Sequence, residues 1–273
     1  MERCEKIASL NAKKRYNFDD LCMIMELLRS EGGCPWDMEQ THESIRRDFI
    51  EETYEVIEAI DTKNPELLRE ELGDVLLQVV FHTRIEEEQG TFYMDDVITE
   101  LCEKLIHRHP HIFGDVVVED SENVLVNWDK IKNEEKQRET VTSRLRSVPP
   151  SLPALMKAAK VGKRAACFDF PDAKSAFAKI EEEKIEIAQV MESGDKDHLE
   201  EEIGDLLFSV ANFARKSGID PEMALNRATK KFIDRFEVVE NTVIQNNKNI
   251  EKMSQIEIDA IWNEKKSIFL TKI

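Results

Sequence analysis

Residues 51–74 read EETYEVIEAIDTKNPELLREELGD, and two helices with a short connection are written into them. Glu51 and Glu55 stand four apart, Glu52 and Glu55 three apart, and Glu71 and Asp74 three apart. On helices, residues at those spacings share a face. The apolar positions keep the same period: Ile50, Tyr54 and Ile57 on one side of the connection, and Leu68, Leu72, Val75, Leu76 and Val79 on the other. Between them Asn64 is a good helix N-cap, and Pro65 suits the first helical turn. Two helices joined by so short a loop pack antiparallel, which brings both acidic faces together.

The pattern occurs again at 182–205, EEKIEIAQVMESGDKDHLEEEIGD. Glu182, Glu183, Glu186, Glu202 and Asp205 each lie 131 positions after Glu51, Glu52, Glu55, Glu71 and Asp74. Ser44 and Ser175, Asn64 and Asp195, and Arg84 and Arg215 match at the same offset. Ile203, Leu206, Leu207 and Val210 repeat the apolar stripe. Lys104–Arg108 (KLIHR) resembles Lys231–Arg235 (KFIDR), and a W-x-x-x-K spacing recurs at Trp128–Lys132 and Trp262–Lys266. The chain is therefore expected to be all-α, with two tandem helical-bundle domains of about four helices each. These are an E-E-x-x-E helix, an E-x-x-D helix, a K-x-x-x-R helix and a short Trp-bearing one. The expected boundaries are 10–140 and 154–273, with 141–153 as a linker because Ser143, Ser147, Pro149, Pro150 and Pro153 oppose helix there. Val116–Val118 is β-prone but short and isolated.

Composition narrows the classes. With 38 basic and 56 acidic residues the net charge is −18, which excludes a general binder of nucleic acid polymers. Nine Gly and eight Pro in 273 residues are too few for a turn-rich all-β fold. Five cysteines without a C-x-x-C point to free thiols in a reducing compartment, hence the cytoplasm. The apolar run Val75–Phe81, broken by Gln78, is far too short to span a bilayer, and no membrane partner is expected.

Clustered carboxylates need a counter-charge. Two of them about 4 Å apart repel by roughly 4 kcal/mol at an effective dielectric near 20. A hard divalent cation resolves that, and all-oxygen ligation selects Mg²⁺, Mn²⁺ or Ca²⁺ over zinc or copper. The competing explanation is a solvated face in a Glu-rich chain. With 56 acids in 273 positions, five specified positions are all acidic about three times in ten thousand. A second copy with the same internal spacing and the same Gly exceeds chance. Duplication alone accounts for repetition, but not for five acids persisting where apolar positions drifted. The repeated cations Lys104, Arg108 and Lys132, with Lys231, Arg235 and Lys266, suit phosphate oxygens, and Trp128 and Trp262 suit stacking on a base or a place in the core. His107, His109, His111 and Cys102 suggest zinc only superficially, since the second copy carries Asp234 and Phe236 at the first two positions. A di-iron bundle needs two E-x-x-H pairs, and Glu39–His42 alone fits.

The E-E-x-x-E…E-x-x-D pattern resembles the all-α nucleoside triphosphate pyrophosphohydrolase superfamily. The tandem arrangement and the stretch Gly33-Cys-Pro-Trp-Asp37…Gln40-Thr-His-Glu-Ser44 are similar to its MazG family in particular. That resemblance covers nearly the whole chain. It implies Mg²⁺-dependent hydrolysis of nucleoside triphosphates to monophosphate and pyrophosphate, with Mn²⁺ as an alternative ion. It also implies a homodimer of broad nucleotide range with a house-cleaning role. Carried over by position, Glu51, Glu52, Glu55, Glu71 and Asp74, and Glu182, Glu183, Glu186, Glu202 and Asp205, hold or orient metal. Lys179, Lys231, Arg235, Trp262 and Lys266, with Lys104, Arg108, Trp128 and Lys132, contact the nucleotide. One departure is Cys167 in Cys-Phe-Asp-Phe170, where the family has Gly, which puts that loop's backbone in question.

On this reading Glu52 or Glu183 orients or deprotonates the attacking water. Lys179 stands three residues before its Glu-Glu pair, where the first copy has Asp48, and an extra cation favours the second copy as the working one. The alternative is that one domain is a non-catalytic nucleotide-binding or dimerisation module.

Overall fold

The computed structural model describes residues 2–118, 120–135 and 140–270, and side chains within them at all positions but 122, 129, 166 and 266–270. Every regular element among the described residues is helical, Val116–Val118 included in neither helix nor strand. Two compact units are present, Met1–Ile131 and Lys132–Ile273.

The first unit runs α1 (Arg3–Asn11), α2 (Phe18–Arg29), α3 (Pro35–Glu39), α4 (His42–Asp61), α5 (Pro65–Gln89), α6 (Met94–Arg108), α7 (Pro110–Phe113) and α8 (Ser121–Glu135), whose last turn passes the unit boundary. The four helices read from the repeat are α4, α5, α6 and α8. Their ends follow local chemistry. Thr41 and Ser44 form a reciprocal capping box at the start of α4. Asn64 accepts the Glu66 and Leu67 amides, with Pro65 at the first helical position of α5. The core comprises Met25, Ile45, Val80, Phe81, Ile85 and Met94, drawn from α2, α4, α5 and α6. Arg29 closes one side. Its guanidinium lies 5.2 Å over the Phe81 ring, grips Glu88 through two bonds of 3.0 and 2.9 Å, and donates to the Asp37 and Gln40 carbonyls.

The second unit continues with α9 (Val141–Arg146), α10 (Ala154–Arg164), a 3-10 turn at Ala166–Phe168, α11 (Ala173–Ser193), α12 (Lys196–Lys216), α13 (Pro221–Gln245), a 3-10 turn at Ile250–Lys252 and α14 (Gln255–Leu270). Here α11, α12, α13 and α14 answer to the four repeated helices. Asp172 and Asp195 cap α11 and α12 from positions 131 beyond Thr41 and Asn64. Residues 141–153 were expected as a linker without helix. They open instead with α9, because Thr140 and Ser143 form a capping box, and Arg164 of α10 ties the segment down by donating to Arg144 O (2.8 Å) and Ser147 Oγ (2.6 Å). A Cβ on Gly162 would stand 1.9 Å from Asn212 Oδ1, so α10 crosses α12 with no room for a side chain at 162 unless Asn212 shifts. Cys167 sits in a 3-10 turn and is not among the residues with left-handed φ, so the Cys in place of Gly carries no backbone strain there.

The apolar stripes of α4 and α5 divide. Ile45, Val80 and Phe81 are buried, whereas Ile50 (55%), Tyr54, Leu72 (52%) and Leu76 are exposed. The second unit repeats this with exposed Ile203, Leu207 (50%) and Phe208. A Cβ on Gly73 or Gly204 would meet nothing within 4 Å, so the repeated Gly is not required by packing inside either unit.

Candidate active site

Helices α4 and α5 pack antiparallel, as the short connection requires. Glu55 lies by Glu71, while His42 at the start of α4 meets His82 and Glu86 near the end of α5. Between those points one carboxylate oxygen each from Glu52, Glu55 and Glu71 falls within 4.8 Å of the others. In the second unit Glu183, Glu186 and Glu202 do the same. The two triads are counterparts, each member 131 residues from its equivalent.

Their burial matters. Glu71 is buried, and Glu183 is 3% exposed. Removal from water pushes the Glu52 carboxyl above its ordinary value, and the charges of Asp74, Glu55 and Asp48 push the same way. Glu71 is raised by burial first, then by Glu55, Glu70 and Asp74. Glu186 is raised by its hydrogen bond with Glu183, with burial adding. Three converging carboxylates, at least one of them buried in each triad, form a good donor set for a hard divalent ion. Two oxygens bound to one octahedral ion at about 2.1 Å stand roughly 3–4 Å apart. The oxygens of each triad, all within 4.8 Å of one another, lie near that separation.

The remaining candidates are placed less uniformly. Half-buried Asp74 acts electrostatically on Glu52 and Glu71, and Asp205 is exposed. Glu51 and Glu182 lie outside the triads: Glu51 accepts from Arg47 Nε at 2.8 Å, and Glu182 from Lys179 Nζ at 2.7 Å. Lys179 also stands 3.0 Å from Glu183 Oε1, and these two carboxylates raise its pKa. Of the candidate cations, Lys179 is therefore in direct contact with the acidic cluster. Arg108 is buried, with its guanidinium 5.3 Å over the Trp128 ring, and His109 meets the same ring edge-on at 4.9 Å. Trp262 packs on Phe232 at 5.5 Å. Lys104 and Lys231 are exposed, and Lys132 and Arg235 half-buried. The side chain of Lys266 lies outside the described residues.

Three contacts escape a reading of motifs. His198 Nε2 reaches Glu202 Oε1 at 3.1 Å, for which the i, i+4 spacing on α12 was the available signal. Arg215 holds the Phe168–Phe170 loop by gripping Asp169, which Lys216 also pairs at 2.7 Å. That use of Arg215 differs from its counterpart Arg84, which pairs with Glu88 on its own helix at 3.1 Å. His42 is the first residue of the acidic helix α4 itself. Its two ring nitrogens engage His82 Nδ1 (2.7 Å) and Glu86 Oε1 (2.8 Å), about 15 Å along the helix from Glu52.

Comparison with known proteins points one way. The MazG nucleotide pyrophosphohydrolase domain matches residues 40–113 and 157–239, segments that contain both triads. A nucleoside triphosphate pyrophosphohydrolase/pyrophosphatase from Thermotoga maritima is 45% identical over 251 residues, covering 91% of this chain and 95% of that protein. A nucleoside triphosphate pyrophosphohydrolase from Escherichia coli K12 is 40% identical over 255 residues, covering 91% and 96%. An uncharacterized Bacillus subtilis protein is 44% identical over 254 residues, 92% of this chain and 52% of its own length.

Proposed function

Because the chain belongs to the MazG family of nucleotide pyrophosphohydrolases, we propose that this enzyme cleaves nucleoside triphosphates to the monophosphate and pyrophosphate in a Mg²⁺-dependent reaction, accepting a broad range of bases. The observation that carries the proposal is the pair of equivalent carboxylate triads, each built around one buried glutamate and close enough to share a cation. A divalent ion, Mg²⁺ or Mn²⁺, supplies charge neutralisation for the leaving pyrophosphate and Lewis acidity toward phosphoryl oxygens when bound. Glu52, Glu55 and Glu71 would hold it in the first unit, and Glu183, Glu186 and Glu202 in the second.

The chain's own groups then divide the work. Glu52 or Glu183 orients the attacking water and takes its proton, a role that a raised carboxyl pKa favours for Glu52. Lys104 and Lys231, on exposed faces, are to meet triphosphate oxygens, and Arg108, Lys132, Arg235 and Lys266 are the further cations suited to them. Trp128 and Trp262 offer ring faces to a base. The second unit carries the larger share of turnover, because Lys179 already lies against its triad and provides one more positive charge for a triphosphate. The exposed Ile50, Leu72 and Leu207 faces support a homodimer, and the acidic balance of the chain supports free nucleotides over nucleic acid polymers as substrate. Free cysteines throughout suit the cytoplasm.

Single substitutions in the full chain test the assignment. Glu183→Gln lowers kcat by about 100-fold or more while the helical circular-dichroism signal stays at the wild-type level. Glu52→Gln, assayed beside it, reads the first unit's share. A wild-type rate in Glu183→Gln contradicts the second-unit assignment, and a wild-type rate in the Glu52/Glu183 double variant contradicts the site itself.

A further inference from the structure

The two triads match in their carboxylates but not in what neutralises them. In the second unit Lys179 Nζ lies 2.7 Å from Glu182 and 3.0 Å from Glu183, and His198 Nε2 lies 3.1 Å from Glu202. Two of the three triad members thus have a nitrogen partner, an ammonium on Glu183 and an imidazole on Glu202. The positions 131 residues earlier are Asp48 and Leu67. Leu67 offers the first triad nothing polar, and Asp48 adds negative charge that acts on Glu52.

From this difference we infer that the triads are unequal divalent sites: Glu52, Glu55 and Glu71 form the tighter one, and Glu183, Glu186 and Glu202 take a cation only by displacing the contacts of Lys179 and His198. The sign follows from Coulomb's law. A divalent ion entering the first triad meets three carboxylates and a further acid. One entering the second meets an ammonium within hydrogen-bond reach of a ligand oxygen, and must replace bonds already made. The inference rests on the reading of the triads as metal sites, and concerns their ranking.

Titration of the full-length chain with Mn²⁺ alone, with free ion followed by electron paramagnetic resonance at one fixed pH, tests it. Two classes of site are expected, with affinities at least about tenfold apart. Glu55→Gln removes the tighter class and Glu186→Gln the weaker. Lys179→Asp combined with His198→Leu, which installs the first unit's residues, tightens the weaker class by about tenfold or more. Asp48→Lys weakens the tighter class. Circular dichroism accompanies each variant, and Lys179→Met, with no charge at all, is to move the weaker class in the same direction should the double variant lose helix. A single class of equal sites, loss of the tighter class in Glu186→Gln, or an unmoved weaker class in both Lys179 variants overturns the ranking and leaves the metal reading in place. No Mn²⁺ bound at either triad contradicts both.

Discussion

Glu52 and Glu71 show how a site can oppose the fold that carries it. Both carboxyls are held above their ordinary value of 4.5, burial first and neighbouring acids second. Their stabilisation of the folded state is complete below that ordinary value and is lost as pH rises through the raised one, because the folded form holds its protons longer. Relative to Glu71→Gln, metal-free wild type should therefore melt at progressively lower temperature as pH rises from about 4.5 toward neutrality, a comparison in which the opposite trend from His82, whose pKa burial lowers, cancels. Mg²⁺ at neutral pH should restore the loss, and Glu71→Gln should melt higher than wild type without metal. Differential scanning calorimetry checks all three, and a Glu71→Gln protein that melts lower than wild type contradicts the electrostatic account. The five-acid pattern was legible from the chain, yet its division into triad and outlier was not. Glu51 and Glu52 both stand at helical spacing from Glu55, so only the position of the partner helix decides which one faces it. Arg47, four residues before Glu51, was the local sign that Glu51 belongs to the solvent side. His198 was missed for a similar reason, since a His four residues before a Glu is ordinary on any helix.

At the scale of elements, capping chemistry and apolar period placed α4, α5, α11 and α12 well. The Asn64 and Asp195 caps are made as their residue types predict. Helix at 141–146 was not legible because the Ser and Pro content of 141–153 masks a four-residue capping box, Thr140 with Ser143. The α10–α12 crossing was not legible at all, because it depends on a contact between Gly162 and Asn212, fifty residues apart. Gly162→Ala forces the new methyl onto Asn212, whose Oδ1 accepts from Arg215, and so disturbs the clamp on Asp169. The expected cost is about 1–3 kcal/mol, read as a lower urea midpoint at unchanged slope. A midpoint equal to wild type places the tight contact elsewhere.

For the whole molecule, duplication and all-α architecture were readable because an offset of 131 is countable, whereas assembly is not written as a spacing. The helical period predicted apolar stripes on α4 and α5, but part of each stays in solvent in the single chain. If that face joins two copies, sedimentation of the wild type gives twice the chain mass, and Leu72→Glu with Leu207→Glu shifts it to the monomer. A monomeric wild type removes the dimer. The reaction itself is read by product analysis of a nucleoside triphosphate incubated with the full chain and Mg²⁺, pyrophosphate resolved from orthophosphate. Monophosphate and pyrophosphate in equal amounts, absent with chelator and absent in the Glu52/Glu183→Gln double variant, is the predicted result. Orthophosphate as the first product, or turnover that persists in that variant, would contradict it.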